Sequence, residues 1–233
     1  MDNLPNIIII NFFIFLFLYI LYKGLKSIYQ DFKNIYYLRI KTYFIKKQKN
    51  QEHADTEKKK VIGIGGGGSN IVEFLSKQYE SLIINSDKRA LEQKKVKNKI
   101  HLEKPDNLGC GANEKCGFSL ITDEVLSQID NFIDKNLSIT LIATLGGGVG
   151  SGSTKAVAEY LSNKNILVKC ILVKPFSWEG SKKINRANET IEFLNQLKNV
   201  SIIEISNDEL KSFEHLSIKE SSNLLNNKIN LMV

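Results

Sequence analysis

The chain has no GxxxxGK[ST] motif, no internal repeat of fixed period, and only three cysteines among its 233 residues. The first absence excludes the P-loop class, in which a lysine and a hydroxyl complete a glycine-rich phosphate turn. The second excludes a repeat architecture. Cys110, Cys116 and Cys170 stand at irregular spacing with no matching pair or histidine cluster. That pattern argues against a zinc site and predicts free thiols in a reducing compartment.

Charge is missing from one stretch. Asp2 is the only charged side chain before Lys23, and from Leu4 to Tyr22 nearly every residue is Ile, Leu, Phe or Tyr, with Pro5, Asn6 and Asn11 as exceptions. As a helix these nineteen residues rise about 1.5 Å each and span ~28 Å, close to the ~30 Å thickness of bilayer hydrocarbon. No small-residue cleavage site follows, as a removed signal peptide would require. The segment is apolar all round, unlike a one-sided core helix. The sequence therefore predicts a transmembrane helix over residues 4–22.

Residues 23–60 carry eleven lysines and arginines against four acids, which accounts for the whole net charge of +7. Positive charge on this flank predicts that it faces the cytoplasm, giving a single-pass cell-membrane protein with its main domain inside. The same cluster favours anionic lipid headgroups, and no nucleic-acid-binding face is expected. Aromatic and aliphatic residues among the lysines of 22–47 suggest a helix continuing from, or lying along, the membrane surface; residues 48–59 are polar and read as a linker. The predicted organisation is a membrane helix at 4–22, a basic juxtamembrane segment and linker at 23–59, and one domain at 60–233.

From Lys60 onward short apolar runs alternate with helical spacing. Val61–Ile64, Leu82–Asn85, Ile139–Thr144, Ile166–Val173 and Ser201–Ile205 read as buried strands. Ile71–Tyr79, Ile121–Ile133, Lys155–Leu161 and Ile184–Leu197 read as helices. This alternation predicts an α/β domain, a Rossmann-like and mainly parallel sheet with helices on both faces. Ligands in such a sheet lie at the carboxyl ends of the strands.

Glycine is concentrated there. Nine of the fifteen glycines fall in two clusters, 65–68 and 146–152, each just after a predicted strand. Backbone without side chains lets a polyanion lie on main-chain N–H groups and on the positive end of the next helix. Gly63-Ile64-Gly65-Gly66-Gly67-Gly68 also satisfies GxGxxG, with Asp87 nineteen residues beyond Gly68. That combination points to a nicotinamide or flavin dinucleotide. It leaves the second, richer cluster unexplained, and the first has more glycines than a dinucleotide turn needs.

Six segments taken in order resemble the tubulin/FtsZ family of GTPases, and within it the bacterial FtsZ branch. Residues 61–70 are similar to the first nucleotide loop, with Ser69 in place of its last glycine. Residues 85–91 resemble NTDxxAL, residues 108–113 resemble GLGAGANP, and residues 146–152 resemble GGGTGTG or GGGTGSG. Residues 174–180 resemble KPFxFEG, and Ser206-Asn207-Asp208 resembles PND. The resemblance implies GTP or GDP, with magnesium. It implies that Gly65, Gly66, Gly67 and Gly68, followed by Ser69 and Asn70, form one part of the nucleotide site. Asn85 and Asp87 form a second part. Gly146, Gly147, Gly148, Gly150, Ser151 and Gly152 form a third, with the Ser151 hydroxyl donating to phosphate. Gly109, Gly111, Ala112 and Asn113 would close over the γ-phosphate. Glu179 would meet the ribose hydroxyls or remain a solvated carboxylate. Asn70 would lie near the guanine or cap the following helix.

Three departures touch the base and the phosphates. The arginine four residues after the ribose-binding glutamate is Lys183 here, which keeps the charge but loses the planar fork. Val149 replaces a threonine. The base-stacking aromatic and the base-reading Asp/Asn of the family correspond to Ile218 and Ser222.

The family's next helix leads to an acidic NxDxxD loop that enters the neighbouring subunit's site. This sequence is expected to stop within that helix, at Val233, and so to have the phosphate cradle without the activating carboxylates. Three readings follow. One is a membrane-anchored GTP-binding protein whose site is completed by a full-length FtsZ or another subunit through self-association, in cell division or filament assembly. Another is a non-catalytic membrane tether or cap for such a polymer. The last is a truncated, degenerate paralogue. The sequence leaves GTPase activity open.

Overall fold

Five apolar runs and one mostly polar one pair into a six-stranded sheet in the computed structural model, which describes residue 23 and residues 59–104, 109–134, 138–213 and 216–233. The membrane helix expected at 4–22 lies outside the described residues, as does the basic segment apart from Lys23 and Lys59. Among the described residues no helix is long and apolar enough to cross a membrane. Contacts divide the chain after Asp55, and the unit considered below is the second, Thr56–Val233.

In chain order the elements are β1 (Lys60–Ile64), α1 (Gly65–Leu75), β2 (Glu80–Asn85), α2 (Lys88–Glu92), β3 (Asn98–His101), α3 (Glu114–Ser119), α4 (Asp123–Ile133) and β4 (Ser138–Thr144). A π-helical turn, Val149–Ser153, runs into α5 (Thr154–Asn163); then come β5 (Leu167–Lys174), α6 (Ser181–Asn195), β6 (Val200–Ser206), a 3-10 turn at Asn207–Phe213, and α7 (Ile218–Asn230). The strand order is β3-β2-β1-β4-β5-β6, and every pair is parallel. Gly63 of β1 is in register with Ile83 on one side and Ile142 on the other. The order reverses between β1 and β4, so their carboxyl ends open a crevice.

The sheet is buried on both faces, as parallel sheets are. Successive strand residues alternate between two cores. Ile62, Leu82, Leu141 and Leu172 pack with Ile129 of α4, Leu161 of α5 and Leu194 of α6. Val61, Ile83, Ile142 and Ile171 pack with Val72 and Leu75 of α1, Leu91 of α2 and Ile229 of α7. The sequence expectation of a parallel sheet with helices on both faces therefore holds.

Local chemistry sets the helix starts. Thr122 caps α4 by accepting from Val125 N–H, and Asp123 and Glu124 occupy its first turn, next to the positive end of the dipole. Ser217 and Glu220 form a reciprocal capping box at α7.

Several boundaries differ from the sequence reading. The first helix begins at Gly65, not near Ile71, so the glycine cluster is the opening turn of a helix and not a loop before one. β3 was not expected, because Ile100 is its only buried residue and its pairing with β2 decides its state. The helix expected to continue through Val233 ends at Asn230. Beyond it, Met232 and Val233 both donate to Ile229 C=O while Val233 turns into the second core.

Candidate functional site

Three glycine-bearing segments meet above the carboxyl ends of β1 and β4. Gly65 and Gly66 come from the first turn of α1, Gly109 and Gly111 from the segment before α3, and Gly147, Gly148 and Gly150 from the turn after β4. With Ser86, Thr144, Pro175, Glu179, Lys183 and Asn207 among their neighbours, they line a cleft of about 390 Å³.

What fits such a cleft follows from what the glycines leave out. A methyl group added at Gly66, Gly111 or Gly147 would meet no protein atom within 4 Å. The space these residues keep clear is the cleft itself. The first turn of α1 has no side-chain cap and no acidic residue. Its early N–H groups have no partner within the helix, and the positive end of its dipole faces the crevice. Backbone donors without covering side chains, beside the Lys183 ammonium, form a donor set suited to a polyphosphate.

Among the described residues, Glu179 is the one carboxylate that lines the cleft. Its Oε1 accepts from Phe176 N–H at 2.7 Å, and its other oxygen pairs with Lys183 in the first turn of α6. Burial pushes its carboxyl up, but the bonds from Lys183 and Phe176 outweigh burial and hold it below the ordinary value of 4.5. It is therefore a fixed anion at neutral pH. A divalent cation here would rest chiefly on ligand phosphates and water, since the described residues of the lining supply no second carboxylate.

The other residues singled out in the sequence divide between framework and surface. Gly67 and Gly68 let α1 lie against β4: a Cβ at Gly67 would stand 2.2 Å from Thr144 Oγ1, and one at Gly68 2.4 Å from Ile142 O. Ser69 is buried in α1 and its hydroxyl has no hydrogen-bond partner. Asn70 is exposed on α1 and does not line the cleft. Nor does it cap the helix, which starts five residues earlier. Asn85 is buried, and its Oδ1 accepts from Ser86 N–H at 2.9 Å, fixing the backbone of a residue that does line the cleft. Asp87, the acid of the dinucleotide pattern, is exposed and caps α2 by accepting from Ala90 N–H.

Ala112 and Asn113 are exposed beside the cleft, and Asn113 caps α3 through Cys116 N–H. Gly146 lies behind the lining with φ at +92°; its N–H donates to Ser151 Oγ at 2.9 Å and its carbonyl accepts from Arg186 Nε at 3.0 Å. Ser151 is fully buried behind the described lining, and its oxygen holds the loop by accepting from Gly146 N–H. Gly152 is packed against the backbone of Glu114. Ser222 is exposed on α7 and is not among the described lining residues; Ile218 is the first residue of that helix.

Sequence reasoning missed Ser86, Thr144 and Asn207 as lining residues. Each stands at or just after the carboxyl end of a strand, and that position alone was a signal. The expectation of three free thiols is also corrected. Cys110 and Cys116 are joined in a disulfide, their Cα atoms 5.6 Å apart, because the turn at Gly111–Asn113 folds the start of α3 back onto the cleft wall. Cys170 is the free cysteine among the described residues, and burial pushes its thiol up to about 12.

Comparison with known proteins agrees with this geometry. Residues 26–214 match the sequence pattern of the Tubulin/FtsZ family, GTPase domain. The cell division protein FtsZ of Buchnera aphidicola subsp. Acyrthosiphon pisum is 34% identical over 157 residues, covering 65% of this chain and 40% of that protein. FtsZ of Aquifex aeolicus is 32% identical over 179 residues, covering 73% of this chain and 48% of that protein. The chain thus spans less than half the length of these relatives. Among solved structures, an empty FtsZ dimer from M. jannaschii superposes with a TM-score of 0.66 at 27% identity, covering 79% of this chain and 55% of that one. A GTPγS-bound protofilament of CetZ2 from Haloferax volcanii has the same fold, with a TM-score of 0.66 at 21% identity over 75% of this chain and 56% of that one.

Proposed function

The chain belongs to the tubulin/FtsZ family, and on that premise we propose that the cleft binds GTP and GDP, with magnesium carried on the phosphates. The observation that carries the proposal is the ring of side-chain-free backbone at Gly66, Gly111 and Gly147, where a methyl would project into empty cleft. Gly65 and Gly66 would receive the α- and β-phosphates with Gly147 and Gly150. Gly109 and Gly111 would close over the γ-phosphate, and Glu179 would meet the ribose. Glu179 is already engaged by Lys183 and Phe176, so the described residues of the lining offer no free carboxylate to position an attacking water. Hydrolysis then needs a carboxylate from outside the lining, and a second subunit of an FtsZ-like filament is its natural source.

Denaturing the purified protein and chromatographing what it releases is the direct test. Guanine nucleotide at near-stoichiometric amount supports the proposal. Protein that releases none, and that gives no heat with GTP and magnesium in calorimetry, refutes it. Mixing with a full-length FtsZ tests the second subunit: turnover should exceed the sum of the two proteins measured apart.

The apolar run at Leu4–Tyr22 and the basic residues behind it support a membrane-anchored form of this function, with the cleft on the cytoplasmic side and a role in division or filament assembly. Fractionation should then leave the chain in membrane pellets after a carbonate wash. Partner recruitment that persists without nucleotide would favour a non-catalytic tether.

A further inference from the structure

The disulfide is placed where it can act on the cleft. Cys110 is 7% exposed and lines the cleft between Gly109 and Gly111, whereas Cys116 belongs to α3. α3 is itself fastened to the turn after β4. Ser153 Oγ donates to Gly117 C=O at 2.7 Å, and Lys155, its ammonium 5.4 Å from the Phe193 ring centre, pairs with Glu114. The bridge therefore ties one wall of the cleft to an anchored helix. Without it, the segment from Gly109 to Ala112 keeps, among the described residues, the backbone bonds Gly148 N–H to Gly111 C=O at 2.7 Å and Asn113 N–H to Cys110 C=O at 2.9 Å.

We propose that Cys110 and Cys116 form a thiol–disulfide exchange site that sets the preference of the cleft for nucleoside triphosphate over diphosphate. The proposal rests on the nucleotide reading above, in which the 109–111 wall meets only the terminal phosphate. With the bridge closed the wall is ordered before the ligand arrives, so little ordering entropy is lost on binding. With it open the wall must be ordered by the triphosphate itself, while a diphosphate, which does not touch it, is unaffected.

The exchange partner is a dithiol. Its thiolate attacks the Sγ of Cys116, the less buried residue of the pair. The Cys110–Cys116 bond breaks, and Cys110 leaves as a thiolate that takes up a proton. The second thiol of the partner then attacks the mixed disulfide, releasing Cys116 as a thiol and closing the partner into its own disulfide. Two electrons and two protons pass to the protein, and the dithiol is oxidised by the same amount.

The full chain is alkylated after denaturation without reductant and weighed by mass spectrometry, and separately titrated with GDP and with a non-hydrolysable GTP analogue, with and without dithiothreitol. One alkylated thiol is expected before reduction and three after it. Reduction should weaken binding of the GTP analogue about tenfold and leave GDP within about twofold. Cys116→Ser should show the weaker value in both buffers. Three thiols before reduction, an unchanged ratio of the two affinities, or a dithiothreitol effect that persists in Cys116→Ser would overturn the proposal. If neither nucleotide binds in either redox state, the nucleotide reading itself fails and this inference fails with it.

Discussion

Arg186 Nε donates to the carbonyl of Gly146 across 3.0 Å, joining α6 to the turn after β4 over forty residues of sequence. Gly146 is the residue from which the cleft-lining backbone at Gly147 and Gly148 departs, and its φ of +92° is one that a side chain would oppose. The guanidinium thus holds the loop from behind, outside the cleft.

Arg186→Ala should loosen that loop more than it destabilises the fold. One charged hydrogen bond is worth about 1.5 kcal/mol here, so the urea midpoint should fall modestly. Affinity for GTP, measured by calorimetry, should fall about tenfold. Equal affinity for the two proteins would show that the loop keeps its place without the guanidinium.

Two glycines in one helix turn should respond in opposite ways to alanine. At Gly66 the methyl meets no protein atom within 4 Å, and alanine suits a helix better than glycine by about 0.5–1 kcal/mol. Gly66→Ala should melt no lower than the parent chain and bind GTP at least tenfold more weakly, by roughly the cost of one obstructed phosphate contact. At Gly68 the methyl would stand 2.4 Å from Ile142 O. Gly68→Ala should lose about 3 kcal/mol of stability through overpacking. Thermal melts alongside calorimetry separate the two outcomes.

Acid should weaken the fold partly through Glu179. Its carboxyl is held below 4.5 in the folded chain, so the stabilisation is complete above the unfolded value and is lost as pH falls through the folded one. Urea midpoints measured from about pH 6 down to about pH 3 should drop less steeply in Glu179→Gln than in the parent. Parallel slopes would mean that the contacts with Lys183 and Phe176 contribute nothing to stability.

Cys170 should resist thiol reagents in the folded state. With its thiol pushed up to about 12 and the residue fully buried, almost no thiolate is present at neutral pH. A chromogenic disulfide reagent should label it only when urea unfolds the chain. Rapid labelling without denaturant would contradict its burial.

Much of this architecture is legible before any coordinates. Val61–Ile64, Leu82–Asn85 and Ile139–Thr144 announce themselves as strands because a parallel sheet buried on both faces demands continuous apolar runs. Asn98–His101 does not, since an edge strand with one buried side chain looks polar. The two glycine clusters mark the cleft, but composition cannot tell Gly66, which faces it, from Gly68, which packs on β4. That division depends on where the helix begins, and Gly65 is an unexpected place for a helix to begin. Asp87 shows the opposite failure: a spacing suited to a ribose acid is satisfied by a helix cap. The Cys110–Cys116 bond was invisible for a related reason. A separation of six residues becomes bonding distance only once the intervening turn is known.

Gly117 of α3 sits so close to the turn after β4 that a Cβ there would be 2.1 Å from Gly148 O. Main chain rests on main chain at this point, with no rotamer between them to absorb a displacement. Sliding the short helix must therefore drag the cleft-lining backbone along, like a cog meshed with its rack. Phe118, the next residue and 39% exposed, is a handle on that gear reachable from the protein's outer surface.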